Sequence, residues 1–173
     1  MELYKHSYHT TALEDWVSNL YIRLRITHPK QIDIKYIARI YTIFVKRKPI
    51  PAFHEVLGRY RGITLDSRES KEIQKEMFFH EWSHILRHSG NQTMMPAAFR
   101  ELQEWDARHF TRYAAIPSHM LRFIDLQDEY VIDQMVSLFK VSPELCEERL
   151  EQIKNRCLQH SFVAETRYLY GNN

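Results

Sequence analysis

The chain has 173 residues, 44% of them hydrophobic and 13% aromatic, with a formal net charge of +2 at pH 7. That composition excludes a disordered chain, and the near balance of charge gives no strong preference for nucleic acid, membrane or acidic partners in bulk. Only 4 Gly and 6 Pro favour long regular elements, so the first expectation is a helix-rich fold.

The N-terminus, MELYKHSYHT, has no apolar signal region, and no run approaches membrane-spanning length, which predicts a soluble, cytoplasmic protein. Residues 10–26 place Leu13, Trp16, Val17, Leu20 and Leu24 on one helical face, with a threonine cap and Glu14 at its start. A short helix over Asp33–Ile40 follows. The period then changes: YTIFVK (41–46), AFHEVL (52–57) and RGITLD (61–66) are short β-branched or aromatic runs punctuated by Pro and Gly, expected to form a small antiparallel sheet. From Ser67 the pattern is helical to about His88, where Ser89-Gly90 supply a stop. A loop with Met94, Met95 and Pro96 leads to another helix through about Tyr113, and Pro117 marks the next boundary. The final third reads as helix, tight turn, helix. Cys146 and Cys157 fit no metal or redox spacing and are expected to be reduced, partly buried thiols.

The chemistry concentrates in HEWSHILRH, residues 80–88. Deep in a helix, residues four apart project from one face, so His80 and His84 can offer two imidazole nitrogens to one ion. Glu81 lies about 100° around the helix, beside the ion but not on it, where a general base belongs. His88 shares the ligand face but stands about 12 Å along the axis from His80, too far to complete the same site, so packing or support of a ligand is its expected role. A second His-Glu pair, His54-Glu55, has Gly58 where another ligand would stand and reads as a coincidence.

A catalytic zinc site needs a third protein ligand and an open position for water. FRELQEWDARHF (99–110) offers Glu101, Glu104, Asp106 and His109. Phasing puts Phe99, Leu102, Asp106, Phe110 and Tyr113 on one apolar face, and a carboxylate in an apolar stripe wants a partner, which mildly favours Asp106. Glu104 lies on the flank of that face. The residues alone leave the choice open. A donor for the oxyanion of a peptide-hydrolysis intermediate would come from Tyr113, His109 or Arg112, which the sequence does not separate.

The combination of HEWSHILRH with ELQEWDARHFTRYAAIP resembles the ImmA/IrrE metallopeptidases, in which H-E-x-x-H-x-x-x-H is followed by E-x-x-A-x-x-F and a Pro-containing segment. Glu104, Ala107 and Phe110 fill the second motif, and Pro117 stands where the family's proline falls. The resemblance implies Zn2+ held by His80, His84 and Glu104, with Glu81 as the catalytic base; beside it, the residues themselves leave Asp106, like His88, as a candidate to support a ligand histidine, or as a buried capping partner. It also implies an α+β, helix-rich fold, with a zincin-like core whose active-site helix packs on the small sheet. Residues 1–122 would form the metallopeptidase domain, and 123–173 a helical, helix-turn-helix-like segment packed on it. By the same resemblance the protein is a site-specific endopeptidase of a phage or mobile element, and its substrate is a helix-turn-helix transcriptional repressor. Two departures stand out: Thr111-Arg112-Tyr113 where relatives carry small residues, and Trp82-Ser83 in place of Leu-Gly, either of which could reshape the cleft.

Two rival readings set limits. VSLFKVSPELCEERLEQI resembles half of a DNA-binding helix-turn-helix, but its second helix carries Glu144, Glu147, Glu148 and Glu151 with Arg149 as a partial offset, and carboxylates repel a phosphate backbone. Direct DNA binding is therefore disfavoured. A metal-stabilised regulatory module without proteolysis is disfavoured by Glu81, since a structural site has no use for a base. Residues 20–62 carry ten Lys or Arg against Asp33 and Glu55, a block expected to be a solvated face that could steer an acidic partner.

Overall fold

The computed structural model describes residues 8–87 and 96–170, with side chains to residue 158. His88, Met94 and Met95 lie outside the described residues.

Helix α1 (Ala12–Arg23) opens with a capping box: the Glu14 amide donates to Thr11 Oγ1, and the Thr11 amide donates to Glu14 Oε2. Its expected apolar face is realised, with Val17 and Leu20 buried and Leu13, Trp16 and Leu24 packed at the core's edge. A 3-10 turn at Pro29–Gln31 leads into α2 (Ile34–Ile40), capped by Asp33. Three strands follow: β1 (Ile43–Lys48), β2 (Phe53–Leu57) and β3 (Tyr60–Asp66).

The sheet is small, as expected, but mixed rather than antiparallel throughout. Its order is β1-β3-β2, with β2 antiparallel and β1 parallel to β3. The turns explain the difference. Gly58, at φ +59, occupies the first central position of a two-residue turn, a conformation that suits glycine and closes a tight β2–β3 hairpin. No such turn joins β1 to β2. Pro49 and Pro51 fix φ there and supply no amide hydrogen, so the chain swings past and leaves the middle of the sheet to β3.

Helix α3 (Lys71–Arg87) packs on β2 and β3, and α4 (Ala97–Ala115) packs on α3 and α1. Ser70 Oγ accepts from the Ile73 amide, and Glu72 lies in the first turn, so the positive end of α3 is satisfied by side-chain oxygens. The core centres on Trp82, fully buried among Tyr21, Tyr41, Phe78 and Phe110 with ring centroids 5.3–6.5 Å away. After a 3-10 segment (Ser118–Phe123) come α5 (Val131–Phe139) and the long α6 (Pro143–Tyr170). Lys140, in the left-handed conformation, ends α5, and the buried Val141-Ser142 turn leads to Pro143 at the start of α6.

Helix α6 is tied to the rest of the molecule by a buried arginine. Arg149 Nη2 donates to Glu14 Oε1 at 2.6 Å with both side chains fully buried, its Nε donates to the Ile116 carbonyl, and its guanidinium lies over the Tyr113 ring. Arg156 and Tyr8 also bond Glu14. Burial pushes the Glu14 carboxyl up, but Arg149, the Tyr8 hydroxyl and the Thr11 amide outweigh it and hold the group below its ordinary pKa. The arginine that would have offset the acidic helix therefore faces inward, while Glu144, Glu147, Glu148 and Glu151 are exposed. All ten basic residues of the 20–62 block are exposed as well. Among the described residues, no helix is long and apolar enough to cross a membrane.

Candidate metal centre

One face of α3 turns away from the aromatic core and presents His80, Glu81 and His84. Helical spacing puts the two imidazoles one turn apart, and their Nε2 atoms lie 3.3 Å from each other. From α4, Glu104 closes the group: its Oε2 is 3.2 Å from His80 Nε2 and its Oε1 is 3.3 Å from His84 Nε2. The three residues offer ligand atoms that all lie within 4.8 Å of one another, with His84 buried and the other two half-buried. Sequence phasing had left Glu104 and Asp106 open, and the structure brings Glu104 to the histidines.

Asp106 is engaged elsewhere. Arg87 Nε and Nη2 donate to its two oxygens at 2.7 and 2.9 Å, a bidentate pair at the end of α3. A carboxylate on this face needs a partner, and the Arg87 guanidinium meets the need. The expected apolar stripe on α4 is realised only in part: Phe110 and Tyr113 are buried, whereas Phe99 and Leu102 are exposed.

Neither Trp82 nor Ser83 belongs to the group formed by His80, His84 and Glu104. Trp82 is the centre of the core, and Ser83 is buried with its hydroxyl donating to the His80 carbonyl at 2.7 Å. The departure in the first motif is thus absorbed by packing. Of the oxyanion donors considered, Tyr113 is buried with its hydroxyl oxygen accepting from Gln152 Nε2 and Arg156 Nη2. His109 Nδ1–H donates to the Trp105 carbonyl. Arg112, paired with Glu148 at 2.6 Å, lines a cleft of about 340 Å³ that begins at His80 and runs between α4 and the start of α6.

His54 is the residue that the sequence reading missed. Its place on β2, opposite Ile63 in the β2–β3 ladder, carries the ring over α3. There Nδ1 lies 2.8 Å from Glu81 Oε2, and the ring stacks on His84 with centroids 5.1 Å apart and an interplanar angle of 15°. The pair is not a second ligand motif, but it is no coincidence either. No local pattern announces it, since the contact spans 27 positions.

Comparison with known proteins agrees with this architecture. Residues 38–151 match the peptidase family described as "IrrE N-terminal-like domain", a stretch that contains the sheet, α3, α4 and the start of α6. "Uncharacterized protein YqaB" from Bacillus subtilis (strain 168) is 38% identical over 157 residues, covering 90% of this chain and 91% of the relative. "Phage-like element PBSX protein XkdA" from the same organism is 33% identical over 162 residues, covering 92% and 82%. No solved structure matches the chain. With a family match across the whole candidate centre and two relatives alike over nearly their full lengths, the chain belongs to the ImmA/IrrE family of IrrE N-terminal-like peptidases.

Proposed function

We propose that this protein is a zinc-dependent, site-specific endopeptidase of a phage-like element, acting in the cytoplasm on a helix-turn-helix transcriptional repressor. One observation carries the reading: two imidazole nitrogens and a carboxylate meet at 3.2–3.3 Å with a second glutamate beside them. A tetrahedral ion with bonds of about 2.0–2.1 Å separates its ligand atoms by about 3.3–3.4 Å. The spacing and the donor set both fit a zinc ion bound by three side chains, which leaves a fourth position open to solvent or substrate.

A zinc ion there would supply Lewis acidity, lowering the pKa of a water to about 7 and polarising the scissile carbonyl. Glu81 takes up the proton that the attacking water gives away and returns it to the departing amine. Its two oxygens divide the work, since Oε2 is bonded by His54 and, among the described residues, Oε1 receives no hydrogen bond. Arg108 and Arg112 stand on one wall of the cleft beside His80, with Glu144 and Glu148 opposite. Arg112, already within that cleft, is the donor best placed to meet negative charge on the substrate carbonyl. The exposed carboxylates of α6 disfavour DNA as the partner.

The repressor as substrate rests on family membership and on the phage-like element named for one relative. The test is incubation of the zinc-loaded protein with helix-turn-helix repressors encoded in the same element, read by mass spectrometry. Cleavage at a single peptide bond, giving one new C-terminus and one new N-terminus and abolished by Glu81→Gln, is expected. Binding of the repressor without cleavage in wild type and variant alike would replace the peptidase with a regulatory module.

A further inference from the structure

We infer that His54 is a positioning residue that holds the Glu81 carboxylate in its working orientation, an inference that rests on the peptidase reading above. Three observations carry it. His54 Nδ1 lies 2.8 Å from Glu81 Oε2, with the two side chains only 23% and 11% exposed. The His54 ring lies nearly parallel to that of His84, which limits its rotation. Its strand, β2, pairs with β3 over its whole length, with His54 opposite Ile63, so the imidazole is delivered from the sheet rather than from a loop.

An ionised carboxylate only accepts hydrogen bonds, so Nδ1 must carry the hydrogen and donate. A glutamate has three rotatable bonds, and on the surface of a helix its carboxylate would sample several rotamers. A donor fixed on a neighbouring strand selects one rotamer and spends Oε2 on that contact, leaving Oε1 for the proton that the reaction moves. His54 touches neither a substrate nor the ion site directly through this bond. It acts through Glu81, in the way that outer partners of site residues govern their orientation.

The ring has two roles that substitution separates. His54→Phe keeps a flat ring over His84 and removes the donor, whereas His54→Asn puts an amide N–H near the position of Nδ1 and removes the ring. Cleavage of a mixed quenched-fluorescent peptide library by the zinc-loaded proteins gives one readout. His54→Phe is expected to lower kcat about 10–100-fold with little change in KM, and His54→Asn to recover most of the loss. Zinc affinity should be equal in both variants. If the ring acts only by packing, the order reverses: His54→Phe resembles wild type and His54→Asn is impaired, which overturns the inference.

A second readout needs no activity. Thermal melts of the metal-free wild type, His54→Phe, Glu81→Ala and the double variant form a cycle. Non-additive shifts in Tm are expected for a hydrogen-bonded pair, and additive shifts overturn the inference. Should even the wild type fail to cleave any peptide, the peptidase reading is what fails, and the melting cycle still decides whether His54 holds Glu81.

Discussion

Replacing Glu104 by alanine should strip the ion site of one ligand with little disturbance of the fold. Its side chain is 41% exposed and reaches the histidines from the far side of the centre. Truncation therefore moves little buried surface, and the metal-free protein should stay within about 0.5 kcal/mol of wild type. Zinc held by four protein ligands binds with about 10–16 kcal/mol, or about 2.5–4 kcal/mol for each. Loss of one ligand should weaken binding about 60- to 700-fold, at 1.4 kcal/mol per decade. Competition against a chromophoric chelator measures this directly, with circular dichroism as the check on folding. Asp106→Asn is the matched control: it should keep zinc affinity while lowering stability by about 1–2 kcal/mol, because it weakens the bidentate bond to Arg87. Zinc affinity within threefold of wild type in Glu104→Ala, or a loss in Asp106→Asn as large, would refute the assignment of the third ligand.

Three other substitutions test the surrounding argument. Glu81→Gln should retain zinc within a few-fold while cleavage falls about 100- to 10,000-fold, and retained cleavage would remove Glu81 as the base. Arg149→Met should cost about 3–5 kcal/mol in urea denaturation, because it leaves the buried Glu14 carboxylate without its fully buried partner; a cost under 1 kcal/mol would contradict the ion pair's place in holding α6. Because the native Glu14 carboxyl titrates below its ordinary value of 4.5, the unfolded chain binds its proton first. That contribution to stability is complete above pH 4.5, is lost as the pH falls through the lower native value, and should vanish from the acid limb of Arg149→Met. Lys75, whose ammonium donates to the Phe139 carbonyl, is pushed down by burial to about 8 from 10.5. Between those values the unfolded chain holds more protons than the native one, so stability should rise with pH across that window, and the rise should be absent in Lys75→Met.

The sequence yielded the parts of this centre that obey local rules. His80, Glu81 and His84 sit within five positions on one helix, where spacing alone fixes which side chains share a face. Most element boundaries were legible for the same reason, since caps, prolines and Gly58 act within a few residues. Glu104 was not legible from phasing, because the axial rotation of α4 is set by Phe110 packing on Trp82 and Trp16, contacts that cross the fold. The sheet's parallel pair was hidden because strand order depends on which strands meet across the fold, and the β1–β2 connection carries no tight-turn signal that would pair them.

Two residues show a sharper limit. Glu14 was explained completely by its capping box, so nothing in the sequence hinted at the arginine 135 positions away that shares its carboxylate. His54 has no ligand partner at i+4, yet the fold brings it to Glu81. In both cases a local rule accounts for only part of what the side chain does. A side chain that satisfies a local rule still has unused valence: Glu14 has a second oxygen, and His54 a donor that its own strand does not use. Those spare hydrogen-bonding positions, more than any motif, are where tertiary structure adds function that a linear reading cannot reach.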